Sequence, residues 1–352
     1  MNEIHVARKP LIHINDSTSQ RMWLVSFFAI LIIIQSAIYD NYSSLLVAFV
    51  ALLSAVLMEL AINGVRGVFT LKDGSAVTTA LVFSLLMPNT VHPVMVSLGT
   101  LFAIGIVKHS YGGLGTNWLN PALGGWLFVT ASWPTGFLNA LDGSVLHQVY
   151  DAIARGLSDP SGSPLAILKI AGHKVSSYDS LVTGFMNQVL FSHINAELPS
   201  GYFDFFFLNG PGLIADRGIV MLLIGTIIIT AFRINKPLIP AVYIGLYLLL
   251  VRIFGAIPFG GSLGNGDMLF GILNGGTLLT AFILATDPAT GTKSYQAGLI
   301  TAALAAILGF LFRYFGGSPY GALYGVLLTN TLVPTIRILE ISSKLYTKRR
   351  TL

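Results

Sequence analysis

Three stretches of the sequence hold residue types at spacings that could do chemistry. In KHSYGGLGTNWLNPA (108–122), glycines at 112, 113 and 115 permit a tight turn and the close approach of a flat ligand. The side-chain amides of Asn117 and Asn120 can both donate to and accept from the polar edge of a flat ring. The same residues would equally serve as caps of the helix that follows, with Pro121 just inside its start. In GGTLLTAFILATDP (275–288), Asp287 closes an apolar run and Pro288 ends it, leaving a carboxylate at the border of a hydrophobic segment. An ionisable group so placed is a default candidate for a functional site, against the plainer reading of a solvated Asp at a helix end. The third stretch, LSDPSGSPLAILK (157–169), opens as an ordinary Asp-Pro-Ser-Gly turn. His92, His109, His147, His173 and His193 show no metal-ligand spacing and read as interfacial or loop residues.

The elements that must position these residues are hydrophobic. The 352 residues are 54% hydrophobic and 10% charged, where soluble domains carry about 25% charged residues. Cysteine is absent, which removes disulfides, iron-sulfur ligation and thiol catalysis from this chain. Any electron carrier is therefore organic or belongs to a partner. The net charge of +5 does not point to nucleic acid, because Lys and Arg fall between apolar segments rather than on one face.

Apolar runs lie at 22–39, 44–63, 75–87, 93–107, 119–133, 212–232, 238–253, 268–285, 295–312 and 321–336, which predicts an all-α polytopic membrane protein of about ten transmembrane segments. With both termini cytoplasmic, the inner loops hold Arg8, Lys9, Arg66, Lys72, Lys108, Arg233, Lys236, Lys293, Arg337 and the basic end Lys348 to Arg350. The organisation is then a cytoplasmic segment 1–21, a first transmembrane half 22–133, an extracytoplasmic loop 134–211, a second half 212–336 and a basic cytoplasmic tail 337–352. The runs 75–87 and 93–107 are short and flank the breaker PNTVHP, so they are half-helices or tilted crossings. In the loop, YFDFFF (202–207) would be an exposed aromatic patch unless it rests on the membrane or a neighbouring subunit. A weak internal repeat pairs DGSAVTTALVFSLLMP and KHSYGGLG with NGGTLLTAFILATDP and FRYFGGSPYG. Five segments per half invert the second copy, an arrangement that builds polar sites where helices break.

The first two chemical stretches, with DGSAVTTALVFSLLMP (73–88) and FGGSPYGALYGVLLTNTLVP (315–334), resemble the NqrB/RnfD family of membrane electron-transport subunits over most of the chain from about 73 onward. The joint order of YGGLGTN..NPA and a Gly-Gly-helix-ATDP is specific. The resemblance is closer to the D component (RnfD) of Rnf-type ion-translocating complexes than to the B component (NqrB) of sodium-pumping quinone reductases, because the longer N-terminal region of the latter is missing and FGGSPYG stands in the last hairpin.

That resemblance implies two inverted five-helix halves, similar to urea transporters, and two flavins. Riboflavin, held without a covalent bond toward the cytoplasm, falls by residue-by-residue transfer on Asn117, Asn120 and Asp287. FMN in the family is joined through its phosphate to the last residue of an S-G-A-T motif. Aligned on Pro164-Leu165 the acceptor here is Ser163; aligned on Ser161-Gly162 it is Pro164, which has no hydroxyl, so Ser161 is the second candidate. The implied activity is that of one component of a ferredoxin:NAD oxidoreductase complex coupled to Na+ or H+ movement, inactive alone, in a bacterial or archaeal inner membrane. The implied partners are the other components of an Rnf complex: the flavin-bearing G component, the membrane components A and E, and the iron-sulfur and NADH-binding components B and C. A flavin transferase and membrane lipid complete the set. A cofactor-free solute channel or permease of the same architecture is the alternative from another class.

Overall fold

The computed structural model describes residues 17–350 apart from 111, 116, 208–210, 232–235, 288 and 293. Arg8, Lys9, Tyr111, Thr116, Arg233, Pro288 and Lys293 lie outside the described residues, as do the side chains from Glu340 onward. The described chain is helical, with no named strand and one isolated bridge between Pro88 and Leu213.

The first helix, α1 (Thr18–Tyr39), starts on a reciprocal cap: Ser17 Oγ accepts from Gln20 N at 3.2 Å and Gln20 Oε1 from Ser17 N at 2.9 Å. It is followed by α2 (Ser43–Arg66), α3 (Ser75–Leu85) and α4 (Pro93–Phe102), the last running on as a π-helical turn, Ala103–Lys108. After α5 (Pro121–Ser132), four shorter helices fill the long loop: α6 (Pro134–Asn139), α7 (Val145–Ala154), α8 (Pro164–Ile170) and α9 (Ser177–Val189). The second half holds α10 (Ile214–Arg217), α11 (Ile219–Ala231), α12 (Leu238–Phe254), α13 (Met268–Leu273) and α14 (Thr277–Leu279), which continues as the π-helical Thr280–Leu284. It ends with α15 (Tyr295–Tyr314) and α16 (Gly321–Arg350).

Polarity runs from inside to outside in the sense expected in lipid. Helices α1 and α2 expose Phe27, Ile38, Phe49 and Leu57 and bury Ser26, Gln35, Ser36, Ser44, Ser54 and Glu59. In water such a surface would aggregate; in hydrocarbon the apolar side chains face the solvent they prefer and the polar ones must find partners within the bundle. Four helices, α1, α2, α15 and the 321–339 part of α16, are long and apolar enough to cross a bilayer, and α3, α4 with its π turn, α11 and α12 are shorter apolar helices. The protein is a multi-pass membrane protein. Its helices approach through small residues: a Cβ on Gly325 of α16 would stand 2.5 Å from the backbone N of Gly309 of α15.

Two of the expected continuous runs are broken. The run 212–232 stops at Gly218, where a Cβ would collide with Ile32 Cγ2, so close contact with α1 fixes the break. The run 268–285 stops at Asn274-Gly275-Gly276, where both glycines have positive φ and α14 starts afresh. The aromatic run at 202–207 is not an exposed patch: Tyr202 and Phe205 are buried and Phe203, Phe206 and Phe207 half-buried. Arg217 and Arg313 are buried within the helices, at 1% and 3% exposure.

Candidate functional site

Asn120 is held by its own helix. Its Oδ1 accepts from Ala122 N at 2.9 Å and Leu123 N at 3.3 Å, capping α5, and Pro121 takes the first helical position. The capping reading is therefore realised, and it leaves the amide nitrogen pointing away from α5. That nitrogen donates to Asp287 Oδ2 at 2.9 Å, across a sequence separation of 167 residues. Asp287 also accepts from Ala289 N at 3.1 Å and Thr290 Oγ1 at 2.9 Å, so a carboxylate at the end of an apolar helix is fixed by three donors. Asn117, with its amide nitrogen turned toward the chain, donates to the carbonyls of Lys108 and Gly113, both at 3.0 Å, and so braces the glycine turn.

Asn117, Asn120 and Asp287 line one cleft with Arg21, Lys108 and the threonines of α3. The cleft encloses about 810 Å3 counted out to its open mouth. Arg21 Nε is buried with no acceptor among the described residues, so the cleft offers a donor that a ligand carbonyl would satisfy. Lys108 at the wall is paired with a carboxylate behind it, so Arg21 and Asp287 are the charges the cleft presents unpaired by one another.

Sequence reasoning missed the group behind this wall. Glu59, fully buried in α2, accepts from Lys108 Nζ at 2.9 Å, His109 Nε2 at 2.8 Å and Thr70 Oγ1. Arg66 Nη1 lies 3.3 Å from His109 Nδ1 and Nη2 donates to His109 O at 2.7 Å. A guanidinium has only protons to give, so Nδ1 is the acceptor and Nε2 carries the hydrogen toward Glu59. His109 is thus a buried, partnered residue rather than an interfacial one. The available signal was a single carboxylate inside a long apolar run, LLSAVLMELAING. Arg21 was missed because it precedes the first apolar run, and Thr78 and Thr79 because they read as helix filler.

Ser163 lies elsewhere. It stands at the N-cap of α8 and donates its hydroxyl to Asp267 Oδ2 at 2.8 Å. Tyr202 joins the same carboxylate, and burial together with that carboxylate holds its phenol well above the usual range. Ser161 donates to Asp159, which also accepts from Ser161 N at 2.8 Å, so the Asp-Pro-Ser-Gly turn forms as expected. Each candidate acceptor hydroxyl is engaged by a carboxylate, and a phosphate ester at either would set negative charge against it. As folded here, the loop does not fit an attached phosphate without opening one of these bonds. Asp142, His147 and Asp151 approach one another on the surface, His147 Nε2 lying 3.8 Å and 3.3 Å from the two carboxylates, a grouping the histidine spacings did not signal.

A family profile described as "NQR2, RnfD, RnfE family" matches residues 5–345. The D component of the proton-translocating ferredoxin:NAD(+) oxidoreductase complex of Clostridium ljungdahlii is 30% identical over 342 residues, covering 95% of this chain and 94% of that protein. The D component of the ion-translocating oxidoreductase complex is 30% identical in Erwinia tasmaniensis, covering 94% of this chain and 95% of that protein, and 31% identical in Klebsiella pneumoniae with the same coverage.

Proposed function

The chain belongs to the NQR2, RnfD, RnfE family, and from that premise we propose that it is the flavin-holding membrane component of an Rnf-type ion-translocating ferredoxin:NAD(+) oxidoreductase complex. The observation that carries the flavin part is the Asn120–Asp287 bond, which joins two distant helix ends around a cleft that also contains an unsatisfied Arg21 donor. A bound flavin supplies electron transfer; the chain supplies placement, hydrogen bonds and exclusion of water. Asn120 and Asp287 would hold the polar edge of riboflavin, Arg21 Nε would meet a ring carbonyl, and Asn117 keeps the glycine turn shaped to admit it. Lys108 is fixed in the wall by its bond to Glu59.

In this reading ten segments cross the inner membrane in two inverted halves, with the cleft and both termini on the cytoplasmic side. Two parallels support a repeat. The helix α3 follows Gly74 in the left-handed region and α14 follows Gly276 in the same region, and at each a carboxylate accepts from a backbone N–H beside or at the glycine. Each half also contains one π-helical turn. Electrons pass between flavins and the iron-sulfur centres of partner subunits, coupled to Na+ or H+ movement. Ser163 is the proposed acceptor of covalent FMN, and its attachment requires the bond to Asp267 to open.

The test is flavin analysis of the purified chain. Acid-released riboflavin is expected, together with FMN on the peptide from Asp159 to Lys169 that disappears in Ser163→Ala and survives in Ser161→Ala. A colourless protein that carries solute into liposomes would overturn the redox reading in favour of a permease.

A further inference from the structure

The loop between the halves carries an apolar face that its own fold leaves uncovered. In α9, Tyr178, Leu181, Phe185 and Val189 are all exposed, Leu181 at 73% and Phe185 at 59%. Spaced three, four and four apart, they form one stripe along the helix. The opposite side is tied down: Asp179, fully buried, accepts from Gly201 N at 2.5 Å, Phe203 N at 2.6 Å and Asp204 N at 3.1 Å. Next to the stripe lie polar Ser177, Ser180 and Gln188, also exposed. Alpha-helices with this division into three faces suit a boundary between water, protein and something apolar.

The depth of α9 decides what that apolar phase is. The 3-10 turn Phe203–Phe207, which Asp179 grips, is bonded to α1 through Gln35 Nε2 and Phe206 O at 3.2 Å. Gln35 lies one turn before the end of α1, four residues or about 6 Å below Tyr39 at 1.5 Å per residue. The turn is therefore level with the last turn of a membrane-crossing helix. Ring contacts continue the link: Tyr39 to Phe207 at 5.9 Å and Phe207 to Tyr178 at 5.7 Å. The exposed stripe of α9 is thus tied to the end of α1, a helix that also exposes Ile34 and Ile38 there. Tyrosines at that level match the aromatic belt of a membrane interface.

Beside the first turn of α9 is an open cavity lined by Tyr39, His173, Lys174, Tyr178, Asp204 and Phe207 among others. Lys174 is exposed, and His173 Nε2 is buried without a partner among the described residues. The Asp204 carboxylate in the same lining is taken up by Ser176, accepting from its N at 3.0 Å and from its Oγ, so aromatic walls with the Lys174 ammonium and the unpartnered His173 nitrogen suit a phosphate with acyl chains attached.

We propose that α9 is an interfacial helix seated in the lipid headgroup layer at the loop end of the molecule, its Tyr178, Leu181, Phe185 and Val189 edge dipping toward the acyl chains and the adjacent cavity taking a phospholipid phosphate beside Lys174 and His173. The occupant is lipid, and a partner subunit is the competing outcome.

The absence of cysteine allows single spin labels without background. Leu181→Cys, Phe185→Cys and Ser180→Cys are labelled in the full chain in nanodiscs of phosphatidylglycerol and phosphatidylethanolamine, and each label is relaxed by oxygen and by a water-soluble nickel chelate. Oxygen should dominate at 181 and 185 and nickel at 180, which lies about 100° or more around the helix from both. Nickel dominance at all three positions overturns the proposal. So does a label at 181 or 185 that becomes shielded from both reagents when the whole complex is assembled, since that outcome assigns the face to protein. For the cavity, Lys174→Gln should lower the phosphatidylglycerol that remains with detergent-purified protein relative to the parent, and unchanged lipid content removes that half. Both readouts are independent of flavin content, so loss of the redox reading would leave them standing.

Discussion

Two helix starts in this molecule are built alike and end differently. At one, Gly74 turns through the left-handed region, Asp73 accepts from Ser75 N at 2.8 Å, and the helix that follows presents Ser75, Thr78 and Thr79 to the cleft. At the other, Gly276 makes the same turn and Asp216 accepts from Gly275 N and Gly276 N, both at 2.8 Å. At the second start Arg313 reaches into the break. Its Nη1 donates to the carbonyls of Gly271 and Asn274 at 2.8 Å and lies 3.1 Å from Thr277 Oγ1 and 3.3 Å from Tyr247 OH. A broken helix exposes backbone polar groups, and in a low-dielectric interior something must meet them. A long cation supplied by the chain makes a plug; side chains that stop short of the gap leave a site.

The plug is the strongest place to test this contrast. Arg313→Met leaves buried carbonyls unmet and should lower stability by about 1–3 kcal/mol, the range for orphaning a buried hydrogen-bonding group. Thermal unfolding in detergent reads the loss, while flavin per folded molecule should stay at the parent value. An unchanged melting point would mean that the second start does not depend on its filler.

At the open start the order of effects reverses. Asp287→Ala should keep the fold and lower flavin retention by roughly 10–100-fold, about 1.4–2.7 kcal/mol of binding, because the variant removes the acceptor that joins the two cleft walls. Titration of the flavin-depleted protein with riboflavin measures it directly. Retention at the parent level would remove Asp287 from the site.

The glycines sharpen the comparison. Gly74 and Gly276 have φ of +74° and +68°, so alanine at either should cost about 1–2 kcal/mol of backbone strain. Only Gly74→Ala should also weaken flavin binding, since α3 lines the cleft and a new Cβ there would press on Trp23 at 3.0 Å. Equal loss of flavin in both variants would mean that the two starts are coupled rather than separate.

The two regions were unequally legible in the sequence. Asn117, Asn120 and Asp287 could be assembled beforehand because each sits at the border of an apolar run, and the parity of crossings puts such borders on one side or the other. The Asn-Gly-Gly break at 274–276 lay inside a run of suitable length for one crossing, and the length argument hid it. Arg313 read as a boundary charge because its acceptors are backbone carbonyls and hydroxyls far away in sequence, which leave no trace in charge patterning. The Glu59 cluster was hidden for the same reason: Lys108 and His109 were visible as neighbours, but the carboxylate between them comes from 49 and 50 residues earlier. In the loop, the YFDFFF run drew attention by composition, while the exposed stripe of α9 is spread along a whole helix and emerges only once Asp179 shows which side is anchored.

The smallest expected effect separates the two duties of Asn120. Its oxygen caps α5 and its nitrogen holds Asp287, so Asn120→Ala removes both. The cap alone accounts for about 1 kcal/mol of stability. In Asn120→Ser a shorter hydroxyl can still accept from the first-turn amides but cannot also reach Asp287, so the melting point should return most of the way to the parent while flavin retention stays low. That split is what a residue positioning a ligand-holding carboxylate requires. If serine restored both quantities, the amide nitrogen of Asn120 would have no part in the cleft, and the contrast with the plugged start would rest on Asp287 and the α3 helix alone.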